Sequence, residues 1–196
     1  MTGTLVMAAA LAAVVLALAG WRRRTLLQRR VLTMLALVVA LLPWPFGAAH
    51  WLEGLLSQLS VTSGLLAVIM LMRANGMPSV MPDDQRRMLC VVVLLVAPWF
   101  YPLSLGAAAL DPYAWGFGDF RFSTALLLLG LAAWVSRAYA LCLILVLGQV
   151  AFHFRLLHSD NLWDYLLDPA LVVYALVTVV RRPAPAPSAG ETGARG

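Results

Sequence analysis

The chain contains no lysine; all fourteen of its basic residues are arginine, set against nine carboxylates. That absence excludes a lysine Schiff base to retinal or pyridoxal phosphate, and a lysine general base. Charge is scarce altogether: 12% of residues carry it, where a soluble domain has about 25%. Cysteine is nearly absent too. Cys90 and Cys142 stand far apart in apolar runs with no CxxC, so neither a thiol–disulfide relay nor a zinc site is indicated, and both read as small buried residues. There is no GxxxxGK[ST] and no GxGxxG, hence no phosphate-cradling loop. No internal repeat or second domain is evident.

What is present is apolar. Hydrophobic residues make up 62% of the chain, with a mean hydropathy of +0.86. Those values exclude an ordinary soluble protein and exclude disorder over most of the length. The expected fold is all-α: a polytopic integral membrane helical bundle of about seven transmembrane helices. It forms one domain over 1–182, followed by a disordered, Pro/Ala/Gly-rich cytoplasmic tail over 183–196. The excess of arginine over lysine, with abundant Ala and Gly, suits a high-GC bacterium, so a multi-pass protein of a bacterial inner membrane is expected.

Roughly 20 apolar residues cross the ~30 Å hydrocarbon core of a bilayer as a helix. Seven runs are candidates: 4–21, 31–46, 55–72, 88–105, 122–135, 138–154 and 162–180. The second stops at Pro43-Trp44-Pro45, the fourth is interrupted by Pro98 and Pro102, and the fifth is short. The fifth meets the sixth at Ser136-Arg137, without a Gly or Pro to make the turn.

Arginines gather on the cytoplasmic side of membrane proteins. Seven spans, N-terminus outside and C-terminus cytoplasmic, put twelve arginines inside: those of 22–30 and 73–87, with Arg137, Arg181, Arg182 and Arg195. Only Arg121 and Arg155 fall outside. Glu53, Asp111, Asp119, Asp160, Asp164 and Asp168 lie outside as well, whereas Asp83, Asp84 and Glu191 lie inside. Merging the fifth and sixth runs would move Arg181 and Arg182 outside, so a hairpin is expected there. Ala17-Leu18-Ala19 has the small-x-small form of a cleavage site. No positive region precedes it and three arginines follow, so an uncleaved first span is expected. The inside bias and anionic lipid account for the inner arginines, and no nucleic-acid partner is implied.

All three histidines also fall on the outer side, so nearly every group able to ligate or titrate collects at one face. Three segments carry them. Segment 44–53 holds His50 and Glu53, which share a face if helical, among tryptophans typical of a membrane interface. Segment 111–121, DPYAWGFGDFR, holds Asp111, Trp115, Asp119 and Arg121. Asp111-Pro112 reads as a helix cap and first helical residue, and Asp119 as an ion-pair partner of Arg121. Aromatics interleaved with Gly and Asp suit a lid over a ring-shaped or amphipathic ligand, a loop docked on another protein, or a loop resting at the lipid interface.

Segment 152–169 holds His153, Arg155, His158, Asp160, Trp163, Asp164, Tyr165 and Asp168. The i, i+4, i+8 spacing of Asp160, Asp164 and Asp168 makes one acidic stripe on a continuous helix, yet Pro169 disfavours helical backbone at Asp168. Either 160–167 is an interfacial helix and Asp168 caps a span beginning at Pro169, or one kinked helix carries Asp164 and Asp168 towards the hydrocarbon. In the second case Asp168 lies roughly 10 Å deeper than Asn161. A carboxylate there needs a partner, with Arg155, His153 and His158 at hand.

Two functions compete. One is a binding or accessory component of a membrane assembly. Its ligand- or partner-binding set is His50, Glu53, Asp111, Trp115, Asp119, Arg121, His153, Arg155, Asp160, Trp163 and Tyr165. The alternative is a membrane-embedded enzyme acting on a lipid-linked or amphipathic substrate at the outer leaflet. Asp164, Asp168 and His158 are then the candidate acid–base groups, with Arg121 or Arg155 on an anionic headgroup. The expected partners are the lipid bilayer and a membrane protein or lipid-linked ligand. A haem between His50 and His153, or a divalent ion at His158 and the acidic stripe, has no spacing signature, so no metal or cofactor is assigned. Transport would need polar groups along a path through the bilayer. Gln58, Ser60, Thr62, Ser63 and Gly64 in the third run read instead as helix-packing contacts.

Overall fold

Side-chain caps decide where several helices begin. The fold is seen in a computed structural model that describes residues 2–107 and 109–181; the expected tail over 183–196 lies outside the described residues, as do Arg182, Glu191 and Arg195. The helices are α1 (Thr2–Leu18), α2 (Leu26–Ala40), α3 (Ala48–Leu56), α4 (Val61–Ala74), α5 (Asp83–Ser104), α6 (Phe120–Val135), α7 (Tyr139–His153), α8 (Trp163–Leu166) and α9 (Pro169–Val180). Short 3-10 turns cover Trp21–Arg23 and Tyr113–Gly116, and no strand occurs among the described residues. Thr25 and Gln28 form a reciprocal capping box at the head of α2. Ser60 caps α4, Asp119 caps α6, and Asp168 caps α9 with Pro169 in the first helical position. Each cap supplies an acceptor to an N–H that has no partner within its helix.

The ends of α4, α5, α6 and α7 are alike. The backbone turns left-handed one residue past the cap, at Gly76 (φ 83°), Gly106 (φ 89°), Arg137 (φ 60°) and Arg155 (φ 50°). The following N–H then reaches back five residues, as from Ala138 to the Ala133 carbonyl at 2.8 Å and from Leu156 to the Ala151 carbonyl at 3.0 Å. Arginine in this conformation costs about 1–2 kcal/mol that glycine avoids. The Ser136-Arg137 turn is made this way, so α6 and α7 form the expected hairpin without Gly or Pro.

Several boundaries differ from expectation. The fourth run is unbroken: α5 runs for 22 residues through Pro98 and Pro102, losing only the bonds their missing N–H groups would make. The third run does not begin a helix at Leu55. That stretch finishes α3 and links it to Ser60, because Ser60 is the residue placed to cap α4. The seventh run is broken, as one of its two readings expected. Leu167 and Asp168 are extended (φ −136° and −142°), as Pro169 requires, so α8 and α9 are separate and no continuous acidic stripe exists. Two stretches are long and apolar enough to cross a membrane, Asp83–Ser104 and Trp163–Val180, the second counted across that break.

Contacts at the helix ends establish alternating directions for α1, α2, α4, α5, α6, α7 and α9. At one end, Arg29 donates to the Ala74 carbonyl (3.4 Å), and the Gln85 side chain bridges the Arg137 carbonyl (3.3 Å) and the Ala140 N–H (3.2 Å). Arg73 and Arg86 both pair there with Asp83. This is the arginine end. At the other, acidic end, Thr4 meets Glu53 and Ser60 meets Asp168.

The core divides into two halves. In the first, α1 turns Ala8, Ala12, Ala13 and Leu16 inward. Gly64 of α4 lets Val6 of α1 come so close that a Cβ on Gly64 would lie 2.9 Å from it. In the second, α5, α7 and α9 share Cys90, Val93, Phe100, Ile144, Leu171 and Ala175, and Tyr165 of α8 packs with the preceding Leu162 against α6 and α7. Outward faces stay apolar: Leu127, Leu128, Leu129 and Leu131 of α6 are each more than half exposed.

Candidate functional site

Pro169 fixes α9 and sets Asp168 at its head, and from there the acidic end is assembled. Asp168 is 5% exposed. Its Oδ1 accepts from the Leu171 N–H at 2.8 Å, and its Oδ2 from the Ser60 N–H at 2.8 Å and the Ser63 hydroxyl at 2.5 Å. One carboxylate thus caps α9 and ties it to the capped start of α4. The partners expected for a buried Asp168, namely Arg155, His153 and His158, are not the ones it has. Ser60 and Ser63, expected as packing contacts, hold it instead.

Asp164 is the second junction. It accepts from the Tyr113 hydroxyl at 2.9 Å and from the Ser159 hydroxyl, so α8 is bound to both long loops. Asn161, fully buried, donates to the Tyr113 carbonyl at 2.8 Å and accepts from the Trp163 N–H at 2.9 Å. The Leu162 N–H donates to the Gly116 carbonyl at 2.9 Å. Gly116 permits this contact because a Cβ there would stand 1.8 Å from Asn161 Oδ1. Trp163 lies between Phe100 (centroids 4.4 Å) and Phe122 (4.5 Å), with its indole N–H on the Pro112 carbonyl at 2.9 Å. Tyr165 is fully buried, and its hydroxyl donates towards the Leu157 and Ser159 carbonyls at 3.1 Å each. Burial pushes the Tyr113 hydroxyl up to about 12, and donation to the Asp164 carboxylate adds to the shift.

A third set joins the halves. The Gln58 amide oxygen accepts from the His158 N–H at 2.8 Å. Its nitrogen lies 3.0 Å from Glu53 Oε1 and 3.3 Å from His158 Nδ1. Thr4 donates to the other Glu53 oxygen at 2.8 Å. Burial raises the Glu53 carboxyl, but the bonds from Gln58 and Thr4, with His50 nearby, outweigh it and hold the group below the usual carboxylate range. Ser57, just before Gln58, has φ 61° and ψ −159°, a region almost reserved for glycine. His50 and Glu53 do lie on one helix, α3.

The remaining candidates face outward. Asp111 accepts from the Tyr113 N–H at 3.0 Å, and Trp115 is 37% exposed. Asp119 accepts from the backbone N–H of Arg121 at 2.7 Å as the cap of α6. It forms no ion pair with the Arg121 guanidinium, because the cap geometry uses the carboxylate. Arg155 and Asp160 approach to 3.8 Å, both strongly exposed. Beside them runs a groove of about 370 Å³, lined by Phe117, Gly118, Phe152, His153, Arg155 and Asp160.

The acidic end therefore gathers all three outer segments, but its carboxylates point to different partners. Asp160, Asp164 and Asp168 do not share a face, and among the described residues no three His, Cys, Asp or Glu side chains form a metal-holding group. Gln58, Ser60, Ser63, Tyr113, Ser159 and Asn161 complete the network. Of these, only the Ser60–Ser63 spacing, a capping pattern, could have been read from the sequence. No known protein family, characterised protein or solved structure matches the chain.

Proposed function

We propose that the chain is a multi-pass protein of a bacterial inner membrane, N-terminus out, and that it serves as a binding or accessory component of a membrane assembly. Its site is the polar and aromatic acidic end, on the extracytoplasmic face. The membrane reading is supported by outward apolar faces such as that of α6, which water would not tolerate over so large a patch. Helices as short as α4 and α9 suit a locally thinned bilayer, with apolar flanking residues completing the span. The arginine end fits the cytoplasmic side.

The observation that carries binding over catalysis is the state of the two best acid–base candidates. Asp168 accepts three bonds and Asp164 two, all from donors of the chain itself. Groups so committed stiffen a platform, whereas a general acid or base must reach the substrate. The alternative, an enzyme acting on a lipid-linked or amphipathic substrate, would need one of these networks to open.

Native mass spectrometry of protein gently extracted from its own membrane tests the proposal. A stoichiometric protein partner or a retained amphiphile is the expected result. A chain that leaves its membrane alone and empty would count against it.

A further inference from the structure

Arg121 and Arg155 are the two arginines at the acidic end among the described residues, and the sidedness that explains the others does not explain them. Both belong to the α6–α7 hairpin, at the start of α6 and just past the end of α7. Arg155 lines the groove, and Arg121 follows its Gly118 by three residues. Arg155 also occupies a left-handed position (φ 50°) where glycine would be relaxed, so its side chain is kept at a conformational cost.

Among the described residues, neither cation is held in a close ion pair. The Arg155 side chain is 81% exposed, and its one carboxylate neighbour, Asp160, is 3.8 Å away and 72% exposed. Asp119 serves the Arg121 backbone, and no carboxylate pairs with the Arg121 guanidinium among the described residues. The groove is lined by the aromatic rings of Phe117 and Phe152 and by His153 as well as by the cation. Phe120 (81% exposed) and Phe154 (67%) stand beside Arg121 and Arg155 in sequence and present bare rings at the same end.

From this we infer that the groove binds a lipid with a net-negative phosphate headgroup, drawn from the leaflet at the acidic end. The inference rests on the membrane-binding reading above and names its ligand class. Guanidinium groups take phosphate oxygens in pairs of charge-assisted bonds. The headgroup competes with Asp160 for Arg155, and the exposed phenylalanines meet the first part of the acyl chains.

The test uses the full chain in mild detergent, titrated with dioleoyl phosphatidic acid or dioleoyl phosphatidylcholine and read by native mass spectrometry. The expected result is one phosphatidic acid held about ten-fold more tightly than phosphatidylcholine, a preference that Arg155→Gln and Arg121→Gln each reduce severalfold. Arg155→Gly is the safeguard, because it removes the cation while relaxing the backbone and therefore folds at least as well as wild type. It must lose the preference as Arg155→Gln does. Arg24→Gln, at the opposite end, must keep it.

A preference that survives Arg155→Gly, or that Arg24→Gln reduces equally, overturns the inference. Displacement of the lipid by inorganic phosphate overturns the assignment to a lipid. If gently extracted protein carries a stoichiometric protein partner and no bound lipid, this inference fails while the binding reading stands. If it carries neither, both fail.

Discussion

Asp168 sits where a carboxylate is worth more as a joint than as a reagent. Replacing it by alanine removes the cap of α9 and leaves the buried Ser60 N–H without an acceptor. A lost cap and an unsatisfied buried donor together cost about 3 kcal/mol, so Asp168→Ala should lower the thermal midpoint in detergent by several degrees. An unchanged midpoint would mean that Asp168 is not the joint described. Gly116 makes a sharper contrast. Gly116→Ala drives a methyl into Asn161, whereas Gly54, on α3 with nothing near its missing Cβ, should accept alanine with a gain of about 0.5–1 kcal/mol. Tyr113 leaves a mark at high pH. Its folded-state value is raised, so its contribution is complete below pH 10, its ordinary value, and is lost as the pH rises towards about 12. Tyr113→Phe should flatten that part of a stability-versus-pH curve.

At the scale of elements, the hairpin of α6 and α7 is closed by an arginine doing glycine's work. Arg137→Gly should stabilise the protein by about 1 kcal/mol, since the Arg137 carbonyl that receives Gln85 is kept. A lower melting temperature would contradict the assignment. The cap of α9 could be read in the sequence, as one of two alternatives, because Asp168-Pro169 acts on its own neighbours. Pro169 left the break of the seventh run as one of two readings, and the extended backbone at Leu167 and Asp168 selects it. The start of α4 was missed because apolarity continues from Leu55 across α3, although Ser60 and Ser63 have the spacing of a cap. The pairing of Asp119 with Arg121 was misread for a related reason: sequence adjacency permits both an ion pair and a cap, and backbone geometry chooses. The clasp of Gln58 on His158 joins positions a hundred residues apart, and no local pattern encodes it.

For the whole molecule, the half-buried carboxylate of Glu53 sets the acid limit. Glu53 is held below the usual range by Gln58 and Thr4 after burial is overcome. A depressed value stabilises the fold above the ordinary value, 4.5, and that stabilisation is lost as the pH falls through the lower folded value. The midpoint should therefore hold near neutrality and drop below about pH 4.5. Glu53→Gln should remove part of that dependence. Asp83→Asn should change little, since exposed pairs contribute under about 1 kcal/mol. The proposed orientation has its own check. With Cys90 and Cys142 replaced by serine, a cysteine at exposed Ala107 should react with a membrane-impermeant maleimide on intact spheroplasts, and one at exposed Val80 only after permeabilisation. The reverse pattern would invert the topology.

The clasp at the acidic end also fixes an order of events during synthesis. The Ser60 N–H is made 108 residues before the Asp168 carboxylate that satisfies it. Gln58 waits 100 residues for His158. The first half of the bundle therefore leaves the ribosome with open valences at one end, and it is finished only when the last helix enters beside it.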